Sequence, residues 1–156
     1  MSTPAQPSRW GSEPAWALRQ VQQASAEANQ ELARRLGVGL TDVAALGHLV
    51  AADPPLGPVE LGNRLGIRSA SATTLVDRLE ESGHVRRSAH PQDRRRVALV
   101  VSEESVQRTR EALAPLLADI DAAAARLTPA EAAAVSRFLL EAAGAMHRYA
   151  RGDPRA

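Results

Sequence analysis

Apolar residues recur at three- and four-residue steps through most of this chain, and the exceptions mark where it turns. Leu18, Val21, Ala28, Leu32 and Leu36 form one stripe over about 13–36, closed by Gly37 and Gly39. A second helix is predicted from Thr41-Asp42, carrying Val43, Leu46, Leu49 and Val50 up to the break at Asp53-Pro54-Pro55-Leu56-Gly57. Pro58 suits the first position of a third helix, 58–65, where its missing N–H costs nothing, and Gly66 closes it. A fourth helix over 69–82 turns Leu75, Val76 and Leu79 inward and stops at Gly83. The period then shortens to two. Residues 85–89 and 96–102 read as strands, joined by a polar connection over 90–95 that contains Pro91. Glu103-Glu104 open a helix over about 103–126, and Thr128-Pro129-Ala130-Glu131 is a capping box that launches the last, through about Tyr149. The predicted order is α-α-α-α-β-β-α-α, a mainly α chain with a small two-stranded β element.

Composition changes that picture in three ways. Apolar residues reach 44%, enough for a core, but aromatic residues only 3%. Ala-rich helices bury little area each, so a homodimer is expected to supply the missing burial. Every one of the 19 basic residues is Arg, which suits bidentate contact to phosphate and base edges. The net charge of +1 is unevenly spread: residues 60–100 hold eight Arg against five acids, and 84–96 hold five Arg against Asp93 alone. Such local asymmetry points to nucleic acid more strongly than the total does. There is no Cys, which excludes disulfides, thiolate metal sites and thiol redox sensing. No apolar run is long enough to span a membrane, and the first residues lack the core of a signal peptide, so a cytoplasmic location is expected.

The chemistry concentrates between residues 58 and 102. A short helix, a Gly turn and a second helix are the parts of a helix-turn-helix, with Leu61 and Leu65 locking one helix against the other. The second helix opens on small polar residues: Ser69, Ala70, Ser71, Ala72, Thr73 and Thr74. Small side chains let a helix approach a groove floor, and their hydroxyls meet base edges or phosphates. An ordinary amphipathic helix with a Ser/Thr-rich start has the same composition, so this segment alone does not specify DNA. The Arg94-Arg95-Arg96 cluster at the end of the hairpin shifts the balance. Adjacent guanidiniums repel one another and gain nothing from a core, whereas a narrow minor groove attracts them. Asp93 is placed to orient the Arg95 guanidinium, Arg86 and Arg87 extend the phosphate-contacting surface, and Arg78 can reach a phosphate.

The motifs LGNRLGI, TTLVDRLEESGHVRR and DRRRVALVVS, in this order and spacing, closely resemble the MarR family of bacterial winged-helix regulators. The resemblance covers about residues 15–148. It implies a winged helix-turn-helix over 39–102, a dimerisation helix over 15–38 and dimerisation helices over 103–150, with a flexible arm at 1–14 and a tail at 151–156. Helix 69–82 becomes the recognition helix, and Asp93 and Arg95 match the wing-tip Asp-x-Arg pair. The expected DNA-contacting residues are Arg68, Ser69, Ser71, Thr73, Thr74, Arg78, Arg86, Asp93, Arg94 and Arg95. Two positions depart from the pattern: Arg68 stands where the family often has Ser, and Thr74 where it often has a basic residue. Val101-Ser102 replaces the usual Leu-Thr and keeps the helix cap. The resemblance further implies a repressor of a pseudo-palindromic operator, released by a small anionic or aromatic effector. Trp10, Trp16, His48 and Met146 are candidates to line its pocket, with Trp16 and His48 foremost.

Two other readings compete. One is a winged-helix module for ligands or proteins with weak DNA affinity, which loss of the wing arginines would favour. The other is a small helical enzyme, but the chain has no Ser–His–Asp grouping with supporting motifs, no phosphate loop and no clustered carboxylates. His48, His84, His90 and His147 lack ligand spacing, so neither metal nor cofactor is expected.

Overall fold

Each helix predicted from the three- and four-residue steps forms in the computed structural model, which describes residues 11–152. The elements are α1 (Glu13–Leu36), α2 (Leu40–Val50), α3 (Pro58–Leu65), α4 (Ser69–Glu81), β1 (Val85–His90), β2 (Asp93–Val101), α5 (Glu103–Ala124) and α6 (Pro129–Ala150). The expected arm up to residue 10, Trp10 and the last four tail residues lie outside the described residues. The chain forms two compact units that divide between Leu113 and Ala114. No helix among the described residues is long and apolar enough to cross a membrane.

In the first unit the core gathers what the periodicity marked as apolar. Leu46 and Leu49 of α2, Leu61 of α3, and Leu75, Val76 and Leu79 of α4 close around Val85 and Leu99 of the strands. A smaller cluster joins Leu32, Ala33 and Leu36 to Val43. The α1 stripe is therefore buried only at its C-terminal end, and Val21 is 60% exposed. Asp42 and Glu60 cap α2 and α3 from within their first turns, accepting the Gly39 N–H at 2.9 Å and the Gly57 N–H at 3.1 Å. Thr128 and Glu131 form the reciprocal cap predicted for α6, at 3.3 and 2.8 Å.

The hairpin departs from its prediction at the tip. Only Pro91 and Gln92 connect the strands, and β2 begins at Asp93 rather than Arg96. Five antiparallel pairs run in register from Val85↔Val101 to Ala89↔Val97, but His90 then pairs with Asp93. Arg94, Arg95 and Arg96 therefore face no β1 residue: they form a bulge on β2. One further ladder bond was not legible in the sequence, from the Leu99 N–H to the Leu56 carbonyl at 2.8 Å, which ties the segment before α3 to the free side of β2.

Candidate nucleic-acid interface

The α3–α4 pair is set by two glycines. Gly66 ends α3 with φ +66°, a left-handed conformation that a side chain disfavours. At Gly62 a Cβ would stand 2.9 Å from the Ala72 Cβ, so the helices meet at a distance only glycine allows. With Ala72, Leu75, Val76 and Leu79 buried, α4 leaves Ser69, Ala70, Ser71, Thr73 and Thr74 on its exposed side. Thr73 Oγ1 donates to the Ser69 carbonyl at 3.0 Å and Thr74 Oγ1 to the Ala70 carbonyl at 3.1 Å. Arg68 occupies the cap position with no side-chain cap bond, so the first N–H groups of α4 remain available to an anion.

Ion pairs hold the hairpin to both helices of this pair. Arg87 on β1 is clamped by Asp77 and Glu80 of α4, and Glu80 also accepts the Arg87 backbone N–H at 3.2 Å. The Asp77 carboxylate, followed by the charge of Glu80, pushes the Arg87 guanidinium above its ordinary value. Arg87, expected to extend the phosphate-contacting surface, is thus tied to α4 by both carboxylates. On β2, Arg96 reaches Glu60 of α3. Arg96 therefore leaves the free cluster that its neighbours form. Asp93 also acts otherwise than expected: its Oδ1 accepts the Arg95 backbone N–H at 3.0 Å, so it shapes the bulge backbone and does not steer the guanidinium.

These pairings sort the arginines between residues 60 and 100. Arg78, Arg87 and Arg96 are held by carboxylates; Arg78 pairs with the buried Asp42, which also caps α2. Arg64, Arg68, Arg86, Arg94 and Arg95 enter no ion pair with the described residues. The pairs take up Glu60, Asp77 and Glu80 together with three arginines, so the same excess of positive charge is left on five unpaired arginines against Glu81 and Asp93. Arg64, exposed on α3, was missed by the sequence reading.

A cavity of about 480 Å³ lies among Gly37, Val38, Gly39, Asp42, Arg78, Leu79, Ser82 and His84. Neither Trp16 nor His48 lines it; both are half-buried, on α1 and α2. Buried His84 shares a 2.8 Å hydrogen bond with Ser105 at the start of α5. No group of three or more potential metal ligands occurs among the described residues.

Residues 36–96 match the MarR family. Over 88 residues the chain is 39% identical to the uncharacterized HTH-type transcriptional regulator YcgE of Bacillus subtilis (strain 168), a match spanning 56% of this chain and 56% of that protein. Among solved structures, a MarR family protein from Bacillus stearothermophilus aligns over 86% of this chain and 94% of its own, with a TM-score of 0.67 and 21% identity. A point mutant of MepR from S. aureus, bound to an oligodeoxyribonucleotide, aligns over 85% and 97%, with a TM-score of 0.53 and 17% identity.

Proposed function

We propose that the chain is a member of the MarR family, which residues 36–96 match, and that it acts as a dimeric, sequence-specific DNA-binding transcriptional regulator. The observation that carries this reading is the three-residue bulge, which projects Arg94 and Arg95 unpaired while Arg96 is tied back to Glu60. An unpaired guanidinium on a narrow projection suits the minor groove, where the phosphates on both sides deepen the negative potential. Small exposed residues on α4 suit a major groove, and Arg64, Arg68 and Arg86 add phosphate contacts. In this reading Arg78 positions α4 through Asp42 before it contacts anything outside.

Dimerisation is the second part of the proposal. No residue of α6 is buried, and Leu140 and Tyr149 are 74% and 89% exposed. Leu116, Leu117 and Ile120 of α5 are also exposed. A partner subunit that covers these side chains would also supply a second recognition helix for a pseudo-palindrome. The third part is repression relieved by a small anionic or aromatic effector. The cavity beside Arg78 supports it, because a ligand there would act directly on the residue that ties α4 to α2. A cytoplasmic location and the absence of catalysis follow from the same reading.

Fluorescence anisotropy with DNA from beside the gene, against scrambled DNA and across salt, tests the core of it. Affinity should fall steeply with salt, by about 0.9 log units per phosphate contact per log unit of salt. The native DNA should be preferred, and Arg95→Ala should lose that preference. No binding at low salt would sink the reading.

A further inference from the structure

The exposed face of α4 has a hydrogen-bonding polarity that its composition alone does not reveal. A threonine hydroxyl carries one proton and two acceptor lone pairs. In Thr73 and Thr74 that proton is committed to carbonyls one turn back, at 3.0 and 3.1 Å, while both side chains remain exposed. What they present outward is an acceptor and a methyl group. Nothing else over 69–76 can override them, since this stretch holds no Asn, Gln, Arg, Lys, Asp or Glu and so no bidentate reader. Ser69 and Ser71 make no side-chain hydrogen bond with described residues, so their hydroxyls donate or accept as a partner requires and do not discriminate.

In the major groove, adenine and cytosine each present an amino group as donor, whereas guanine and thymine present carbonyl acceptors. We propose that Thr73 and Thr74 are specificity-determining residues that require an amino base, adenine or cytosine, on the strand each faces, and reject the keto bases guanine and thymine. The half-site is then degenerate in a definite way at these positions: adenine and cytosine interchange, and neither is replaced by guanine or thymine. A hydroxyl that turned its proton outward would select the opposite pair, so the two arrangements predict opposite consensus sequences. This inference rests on α4 being the recognition helix.

The test is selection from a pool of duplexes with a randomised centre, using the full-length chain at low salt. It is followed by competition among the enriched duplexes and their single-base variants. Amino-to-keto changes at the positions facing α4 should cost about fivefold each, the size of one net hydrogen bond, while adenine-to-cytosine changes cost little. Thr73→Val and Thr74→Val keep shape and methyl but remove the acceptor, and should erase this discrimination. Thr73→Ser and Thr74→Ser should retain it, with thermal unfolding showing every variant folded. Replacing a contacted adenine by purine, which lacks the amino group, should weaken the parent chain about fivefold and leave the matching valine variant unchanged. Keto bases at these positions, or a consensus unaltered in the valine variants, would overturn the inference while leaving DNA binding intact. If no duplex is retained at low salt, the proposed function fails and takes this inference with it.

Discussion

Three consecutive arginines with the same chemistry end in different environments. Arg94 and Arg95 stay unpaired in the bulge, while Arg96 closes on Glu60. Their effects on DNA binding should differ accordingly. Arg95→Ala should weaken binding and lower the log–log salt slope by about 0.9, because one phosphate-field contact is lost. Arg96→Gln should leave the slope nearly unchanged and weaken binding only through a looser wing. Anisotropy titrations across salt separate the two, and equal slopes for both variants would contradict the division. Charge clustering marked all three arginines alike. It could not say which member was neutralised, because Glu60 is 36 residues away in sequence.

At the scale of elements, helix boundaries were legible because caps and breakers are local: Pro58, Gly66 and the Thr128–Glu131 box act within one turn of where they stand. The close approach of α3 and α4 was not. Gly62→Ala would set a methyl 2.9 Å from the Ala72 Cβ and should destabilise the fold by about 1–3 kcal/mol, read by denaturant unfolding. Leu79→Ala empties a site that is 1% exposed at the heart of the core and should cost about 2–5 kcal/mol. The Glu60 tie adds a pH dependence. Its own backbone N–H foremost, then the Arg96 guanidinium and the Gly57 N–H, hold its carboxyl below the ordinary 4.5, against the burial that raises it. A carboxyl lowered in the folded state stabilises the fold above its unfolded value and loses that contribution as pH falls through the folded value. The pair is partly exposed, so the effect should be about 0.2–1 kcal/mol. Glu60→Gln should flatten that part of the Tm-against-pH curve on the acid side; an unchanged curve would show that the tie contributes nothing to stability.

For the whole molecule, the exposed apolar side chains of α5 and α6 carry the prediction of self-association. Leu140→Asp should weaken it tenfold or more, about 1.4 kcal/mol, as measured by sedimentation velocity over a range of concentrations. Operator affinity should fall with it, since a lone recognition helix offers little contact area. A variant that stays dimeric would remove Leu140 from the interface and leave the proposal to rest on Leu116, Leu117 and Ile120.

The order of elements, the buried face of α4 and the cationic hairpin could all be read from the chain, because periodicity, caps and charge clustering are properties of near neighbours. The bulge, the three ion-paired arginines and the outward polarity of Thr73 and Thr74 needed the folded chain. Strand register depends on how β1 meets β2, and ion pairing joins α2 to α4, α3 to β2 and α4 to β1. Hydroxyl direction depends on a carbonyl that exists as a partner only once the helix has formed. Those are distances through space, and a sequence records them only after folding has brought distant residues together.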